Sequence, residues 1–244
     1  MVKRLPVLTY HSLDDSHSPI SVAPVDFHWQ MEYLHANGWQ SLKLDDFLVG
    51  HARGEWEPKS FLLTFDDGFR NFMEQAFPVL RELNYTALVF AIPDWVGATN
   101  DWPSQPKWVP RLPLLTWTDL RLMADAGMEL GAHSLSHPWL MQLATERARF
   151  EVLESQRVIQ QRVGHSVQAF AYPYGASSRE LERIVGTNFH AGFGSTLGFA
   201  TRRNRFTKFK RIDLFYVRAP LFFRALAEDW LNVYLFIRRM LRVT

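Results

Sequence analysis

The sequence predicts a single α/β domain in which helices cover a parallel sheet. Short runs rich in β-branched and aromatic residues recur along the 244 residues, and segments with a helical hydrophobic period separate most of them. Polar residues follow several of these runs directly. Such a sheet is either open and doubly wound or closed into a barrel, and both place their chemistry at the carboxyl ends of the strands.

Each element follows from its local pattern. The predicted strands cover residues 5–10, 61–65, 86–91, 128–132, 167–172, 189–194 and 211–217. The predicted helices cover residues 25–37, 71–84, 118–126, 144–163 and 178–186. Thr118 is the expected N-cap of the predicted helix at residues 118–126. Ser177 or Ser178 is the expected N-cap of the predicted helix at residues 178–186.

Composition narrows the class of protein. A hydrophobic fraction of 47% with 21% charged residues excludes disordered and fibrous classes. The absence of cysteine excludes disulfides and thiolate metal ligands. The apolar stretch before Tyr10 is too short for a signal-peptide core, and charged residues interrupt the longest apolar segment, near the end of the chain. We therefore expect a cytoplasmic protein without a membrane span.

The segment LTFDDG, residues 63–68, ends an apolar run in two adjacent carboxylates, Asp66 and Asp67. Two carboxylates that are partly buried side by side require a cation, a shared proton or hydrogen bonds. The segment therefore indicates a functional site at the end of its strand.

A second polar segment, HSLSHP, places His133 and His137 four residues apart after another predicted strand. If the segment turns helically, both imidazoles face one metal ion, although such a pair alone is more often a coincidence on a helix surface. With one carboxylate of the DDG segment it forms a three-ligand site with open positions, which is typical of catalytic metals. Zinc suits these ligands, as do cobalt, nickel, manganese and iron.

The motifs LTFDDG, HSLSHP and AYPYG, in this order, resemble those of the metal-dependent polysaccharide deacetylases over residues 5–217. The Tyr-His pair Tyr10 and His11, ahead of the DDG motif, resembles the poly-N-acetylglucosamine deacetylase branch. The resemblance implies a distorted (β/α) barrel of about seven strands, with a catalytic domain over residues 1–217.

The resemblance also implies roles for individual residues. Asp66 matches the general base, and His11 matches the general acid, with a hydrogen-bonded core histidine as the alternative for His11. The matched metal ligands are Asp67, His133 and His137. Tyr174 would donate its backbone N–H to the oxyanion, and together with Pro173 it is expected to contact substrate.

One departure from the family pattern concerns the base. Ala171 stands where many members carry an arginine that orients the general base. Asp101 and Arg70 are the candidates to orient Asp66 instead.

A proline- and tryptophan-rich segment, residues 93–117, is predicted to form a loop on the active face. Trp95 and Trp102 are expected to stack on sugar rings, and Trp108 is a further candidate. Anchoring in the core is the competing account for all three and the favoured one for Trp117.

Residues 202–244 hold 11 Lys/Arg against 3 Asp/Glu, and residues 218–244 predict an amphipathic basic helix. Its polar stripe comprises Arg224, Glu228, Asn232, Arg238, Arg239 and Arg242. Its apolar side comprises Phe222, Phe223, Leu226, Trp230, Val233, Ile237, Met240 and Leu241. The helix either packs on the barrel, forms a dimer contact, or lies on a membrane with its arginines near anionic headgroups. No nucleic-acid partner is expected.

These patterns lead to one main hypothesis and two alternatives. The main one is a metal-dependent hydrolase that removes N-acetyl groups from an N-acetylhexosamine polysaccharide or, at the inner membrane face, from a lipid-linked glycan. A deformylase or hydrolase of another linear amide is the first alternative, since the same site cleaves any amide that the pocket admits. A carbohydrate-binding pseudoenzyme is the second, and the complete set of base and metal ligands argues against it.

Overall fold

The computed structural model describes residues 1–241; residues 242–244, with the predicted stripe residue Arg242, lie outside the described residues. Seven parallel strands form a closed barrel in chain order, because the first strand pairs with both the second and the last. The strands are β1 (Val7–Tyr10), β2 (Ser60–Phe65), β3 (Leu88–Ala91), β4 (Glu129–Ala132), β5 (Ala169–Ala171), β6 (Ala191–Leu197) and β7 (Phe209–Asp213). The predicted barrel of about seven strands is confirmed.

Helices surround the barrel. They are α1 (Pro24–Ala36), α2 (Leu44–Arg53), α3 (Phe77–Glu82), α4 (Trp117–Asp125), α5 (Thr145–Val163), α6 (Arg179–Asn188), α7 (Leu214–Val217), α8 (Pro220–Arg224) and α9 (Asp229–Leu241). A π-helical segment, Phe72–Ala76, precedes α3. Three short strand pairs flank the barrel: Arg4–Leu5 with Ala200–Thr201, Ser12–Leu13 with Ser21–Val22, and Gln40–Ser41 with the start of β2.

Several boundaries differ from the sequence predictions for local reasons. The predicted strand 211–217 ends at Asp213, whose carboxylate accepts the N–H of Phe215 and starts α7. The N-cap of α4 is Thr116 rather than Thr118, in a reciprocal capping box with Asp119. Ser178 caps α6 as predicted.

The helix α2 was not among the predicted helices. Its first N–H, on Leu44, donates to the carboxylate of Glu129, which is the first residue of β4. A cap supplied by a distant strand leaves no local signal in the sequence.

Three apolar clusters are present among the described residues, and the two largest hold the barrel and its helices together. The larger one lies between the strands and the surrounding helices. The smaller of these two fills the barrel, where the ring of Phe193 contacts those of Phe90 and Phe209, and Phe47 of α2 continues it with Trp56. The barrel is therefore a packed core, and any reaction must take place at its rim.

The C-terminal segment is not the continuous helix that the sequence predicted. A 3₁₀ turn, Ala225–Ala227, separates α8 from α9. Arg4 stabilises the break, since its guanidinium donates to the carbonyl of Ala227 and pairs with Asp229 at 2.6 Å. Leu231 and Leu235 of α9 are fully buried in the larger cluster. Across residues 1–241, no helix combines the length and apolarity that crossing a bilayer requires.

Candidate active site

The DDG turn separates its two carboxylates. The N–H of Asp66, the residue after β2, donates to the carbonyl of Tyr10 at the end of β1, so Asp66 is still part of the sheet edge. Asp67 and Gly68 then adopt left-handed backbone conformations, with φ of 68° and 70°. Nothing lies closer than 3.8 Å to a Cβ built on Gly68, so the backbone conformation, not lack of space, requires glycine there.

The two histidines meet through a loop and not through the expected helical turn. His133 directly follows β4, but Ser134 and His137 both have φ of 61°, which no right-handed helix contains. The hydroxyl of Ser134 accepts the N–H of His137 at 3.0 Å and closes the loop. The premise of an i, i+4 helical pair is therefore wrong, although the imidazoles do converge, with ring centroids 4.9 Å apart.

A buried glutamate, absent from the sequence predictions, supports this loop. Glu151 of α5 is 1% exposed, and its Oε2 accepts the N–H groups of Leu135 (3.1 Å) and Ser136 (2.9 Å). Its Oε1 accepts from the hydroxyl of Ser136 and from Arg147. A glutamate on the buried face of a helix, between Ala148 and Val152, is the sequence signal that was available.

Asp67, His133 and His137 form a buried cluster whose donor atoms all lie within 4.8 Å of one another. Oδ1 of Asp67 is 3.3 Å from Nε2 of His133 and 3.4 Å from Nε2 of His137. Donor atoms bound tetrahedrally at zinc-ligand distances lie about 3.3 Å apart. The donor set and its spacing therefore fit a divalent metal ion.

The hydrogen bonds of the imidazoles direct their free nitrogens at this point. Nδ1 of His133 donates to the carbonyl of Ala171 at 2.7 Å, which leaves Nε2 with a lone pair. The hydroxyl of Tyr174 donates to Ser104, so it accepts from Nδ1 of His137, 3.1 Å away. Both Nε2 atoms are thereby available as ligands.

The electrostatics of the cluster favour a cation. Burial lowers the pKa of His137 to about 3, so this imidazole is neutral. Burial opposes the charge on Asp67, yet its hydrogen bond with His133 holds the pKa of this carboxyl below its ordinary value. Burial likewise opposes a charge on His133, but Asp67 and Asp66 raise its pKa above the ordinary value. The carboxylates thus attract positive charge to the cluster, which a metal ion provides.

Arg211 holds the second carboxylate of the DDG turn. Its NH1 and NH2 donate to Oδ1 and Oδ2 of Asp66, both at 2.7 Å, and its Nε donates to the carbonyl of Gly194. Burial acts to raise the pKa of Asp66, but the guanidinium of Arg211 holds it far below its usual range. Arg211 reaches Asp66 from β7 and lies over the ring of Phe90.

The expected orienting groups are therefore corrected. Asp101 pairs with Arg111 at 2.7 Å, and Arg70 lies 3.5 Å from Glu74, so both form surface ion pairs, and the residue that binds Asp66 is Arg211. The sequence did not single out Arg211 because it ends the basic cluster of residues 202–211, which resembles a solvated surface. In the structure Arg211 is 4% exposed. The available signal was the position of Arg211 within a predicted apolar strand, residues 211–217.

His11 lies on the other side of Asp66. It follows β1, and its Nε2 is 3.8 Å from Oδ2 of Asp66, with 22% of its side chain exposed. Asn71, just after the DDG turn, binds both Ser12 and Leu13 and fixes the chain beyond His11. The partial exposure places His11 at the open mouth of the site rather than in the core.

Aromatic side chains line one wall of the site. The ring of Tyr174, in a left-handed turn with Pro173, stacks on Trp139 with 4.0 Å between centroids, and Trp139 is 41% exposed. Trp102 is buried with its ring 4.5 Å from that of His137, and Trp95 packs against it.

The tryptophan expectations change accordingly. Trp102 anchors the loop and supports His137, so its ring has no open face for a sugar. Trp95 is half-buried and donates to the carbonyl of Ser136, while Trp108 is exposed and Trp117 packs on the larger core. Trp139, which the sequence predictions omitted, is the exposed indole that stacks on Tyr174 beside His137.

Residues 53–188, more than half of the chain, match the model of the polysaccharide deacetylase family. The chain belongs to this family. Polysaccharide deacetylases are enzymes that hydrolyse amide bonds, and they use a divalent metal ion. The matched range contains the DDG turn, the histidine loop and the Tyr174 turn, whereas His11 and Arg211 lie outside it.

Individual deacetylases resemble the chain over most of its length. The Bacillus subtilis protein YxkH, provisionally named a polysaccharide deacetylase, is 27% identical over 202 residues, which are 82% of this chain and 67% of that protein. Poly-beta-1,6-N-acetyl-D-glucosamine N-deacetylase of Escherichia coli strain K12 is 24% identical over 217 residues, or 72% of this chain. The alignment covers 32% of the E. coli protein, so this chain spans about one third of that relative.

A solved structure shares the fold. IcaB from Ammonifex degensii superimposes with a TM-score of 0.76 over 94% of this chain and 97% of its own, at 24% sequence identity. The fold of IcaB thus covers nearly the whole of this chain.

Proposed function

We propose that this polysaccharide deacetylase removes the N-acetyl group from N-acetylhexosamine residues of a glycan, in a metal-dependent reaction. The observation that carries the proposal is that the two carboxylates of the DDG turn face different partners. Asp67 faces two imidazole nitrogens, while Asp66 is clamped by Arg211 and faces His11. A site that only bound sugar would have no need for this separate, oriented carboxylate.

Asp67, His133 and His137 would hold the metal ion, with zinc the first candidate. When bound, a divalent ion supplies Lewis-acid chemistry, since it acidifies water and polarises the amide carbonyl. Because the three residues are buried, few water molecules can compete with them for the metal ion.

The other residues act on protons. Asp66, kept ionised by Arg211, accepts a proton from the water whose oxygen adds to the carbonyl carbon. The backbone N–H of Tyr174 donates to the resulting oxyanion. When the C–N bond breaks, His11 donates its Nε2 proton to the leaving amine nitrogen, and the products are acetate and the free amino sugar.

The relatives and the aromatic wall support the proposed substrate class. Several curated relatives are named poly-beta-1,6-N-acetyl-D-glucosamine N-deacetylases. The exposed Trp139, stacked on Tyr174 next to the metal ligands, offers an apolar face on which a sugar ring can stack. Both a polymer and a lipid-linked N-acetylhexosamine satisfy this chemistry.

The test is acetate release by zinc-loaded protein from N-acetylglucosamine oligomers and from a lipid-linked N-acetylhexosamine. Release that depends on zinc and is lost in Asp66→Asn would support the proposal, and the faster substrate would identify the class. No release from either substrate by protein that retains zinc would reject N-acetylhexosamines and favour another amide.

A further inference from the structure

Helix α9 has an exposed apolar face. Its inner side buries Leu231 and Leu235, while the opposite side exposes large apolar side chains by 43–59% each. At about 100° per residue these side chains fall on one continuous arc that points away from the barrel. They are Trp230, Val233, Phe236, Ile237 and Met240.

Arginines border this apolar face on both sides. By the same helical geometry, Arg238 and Arg239 lie beyond the two ends of the arc, one on each side, between it and the buried face of Leu231 and Leu235. Arg238 lies over the ring of Tyr216 and donates to the hydroxyl of Tyr234, and Arg239 lies over the ring of Phe236. Arg239 is thereby held beside the apolar face, and Arg238 is held between that face and α7.

The helix is fixed with this face outward. Its first turn pairs with Arg4 through Asp229, and the hydroxyl of Tyr234 donates to the carbonyl of Tyr216. Because these contacts come from the barrel and from the chain before α8, turning the helix inward would break them and expose Leu231 and Leu235.

We propose that α9 binds the surface of an anionic lipid bilayer. Its apolar side chains would enter the boundary between headgroups and acyl chains, and Arg238 and Arg239 would contact the anionic headgroups. The helix has 13 residues and is about 20 Å long, shorter than the hydrocarbon thickness, so it would lie in the plane of the surface.

Charge favours a bilayer over a second copy of the chain. Over residues 218–241 four arginines stand against two acidic residues, and one of these, Asp229, is already paired with Arg4. A symmetric dimer through α9 would bring two such basic segments together, and like charges across an interface are unfavourable. An anionic surface instead complements them.

Vesicle flotation of the full chain tests the proposal. The protein should float with vesicles that contain phosphatidylglycerol and much less with vesicles of phosphatidylcholine alone. The double variant Val233→Asp, Ile237→Asp should not float. Because each arginine near an anionic surface adds about fivefold to binding, Arg238→Gln with Arg239→Gln should weaken it by about 25-fold.

The matched control is Val49→Asp with Leu122→Asp, which places two charges on equally exposed apolar positions of α2 and α4. This control should float like the wild type. Absence of flotation by the wild type, equal binding to both vesicle types, or equal loss in both double variants would overturn the proposal. So would a dimer, detected by light scattering, that Val233→Asp with Ile237→Asp converts to a monomer. Lipid binding is measured without turnover, so its failure leaves the proposed deacetylase function unaffected.

Discussion

The rim of the barrel buries charged side chains, whereas the last helix exposes large apolar ones, and both arrangements are unusual. At the rim, Asp66 and Asp67 are at most 6% exposed, although charged side chains normally lie in water. On α9, Ile237 and Met240 are more than half exposed, although apolar side chains of this size are normally buried. The buried charge is compensated inside the molecule, by Arg211 and two histidines. The exposed apolar side chains of α9 are not covered by other described residues, which favours contact with a surface outside the molecule.

Loss of a proposed metal ligand should have the largest effect at the rim. We expect His133→Ala to lose both zinc and acetate release, because Asp67 and His137 alone leave an incomplete site. Asp66→Asn should lose turnover but retain zinc, since Arg211 and not the metal holds Asp66. Zinc content by elemental analysis separates the two variants, and full zinc occupancy in His133→Ala would refute the ligand set.

Removal of the proposed general acid should affect amides selectively. His11→Ala should slow acetate release from an N-acetyl sugar about 100-fold or more, since the leaving amine requires a proton. Hydrolysis of p-nitrophenyl acetate should change much less because nitrophenolate leaves without one. The exposed His190→Ala serves as control. Equal losses on amide and ester would instead make His11 a structural residue.

Arg211 tests how the buried charge is compensated. Arg211→Met should lower the free energy of unfolding by about 3–5 kcal/mol, because it leaves Asp66 buried without a partner. Asp66→Asn in the same chain should restore part of that loss. Arg205, whose exposed guanidinium pairs with Glu182 at 2.8 Å, is the control, and Arg205→Met should cost under about 1 kcal/mol. Urea unfolding gives both values, and similar losses would contradict the clamp.

Glu151 should act on the metal through the histidine loop. Glu151→Gln removes the charge that accepts two loop N–H groups, and we expect zinc affinity to fall about 10–100-fold. Turnover at saturating zinc should largely recover, which a general loss of folding would not allow. Glu154→Gln, which removes the partner of Arg157 on the same helix, should leave zinc affinity unchanged in a chelator competition. Equal affinities in both variants would argue against loop positioning.

The smallest effect should come from the outer face of α9. Ile237→Ala should change the free energy of unfolding by no more than about 0.5 kcal/mol, as at other surface positions. Leu235→Ala, two residues earlier and fully buried, should cost about 2–5 kcal/mol. Denaturant titrations of the pair decide the point. A large loss in Ile237→Ala would show that the apolar face is already covered by protein.

The sequence predicted elements whose signals are local. The seven strands recur at the predicted places because apolar runs between polar strand ends are encoded residue by residue. The DDG and HSLSHP motifs predicted that Asp67, His133 and His137 lie together, and the structure contains this cluster. Their roles as metal ligands stay predictions. The cytoplasmic location and the absence of a nucleic-acid partner also stay predictions.

What escaped prediction depends on distant contacts. The left-handed backbone at Ser134 and His137 is supported by Glu151, which lies on a different helix. Arg211 lies 145 residues from the carboxylate that it binds. The break before α9 depends on Arg4, at the opposite end of the chain. In each case the partner is identified by tertiary structure and not by local sequence.

The pairing of β1 with β2 places the proposed acid and base at the ends of neighbouring strands, between which the chain can be cut. Tyr10 and Phe65 are register partners, and His11 and Asp66 each follow by one residue, so a backbone ladder sets the distance between the proposed acid and base. The chain between them passes through an exposed turn at residues 57–59. A cut in that turn yields two fragments, one carrying His11 and the other Asp66. Reassembly of those fragments through the pairing of β1 with its two neighbouring strands would bring the acid and the base together again, which makes this turn a natural place to split the enzyme.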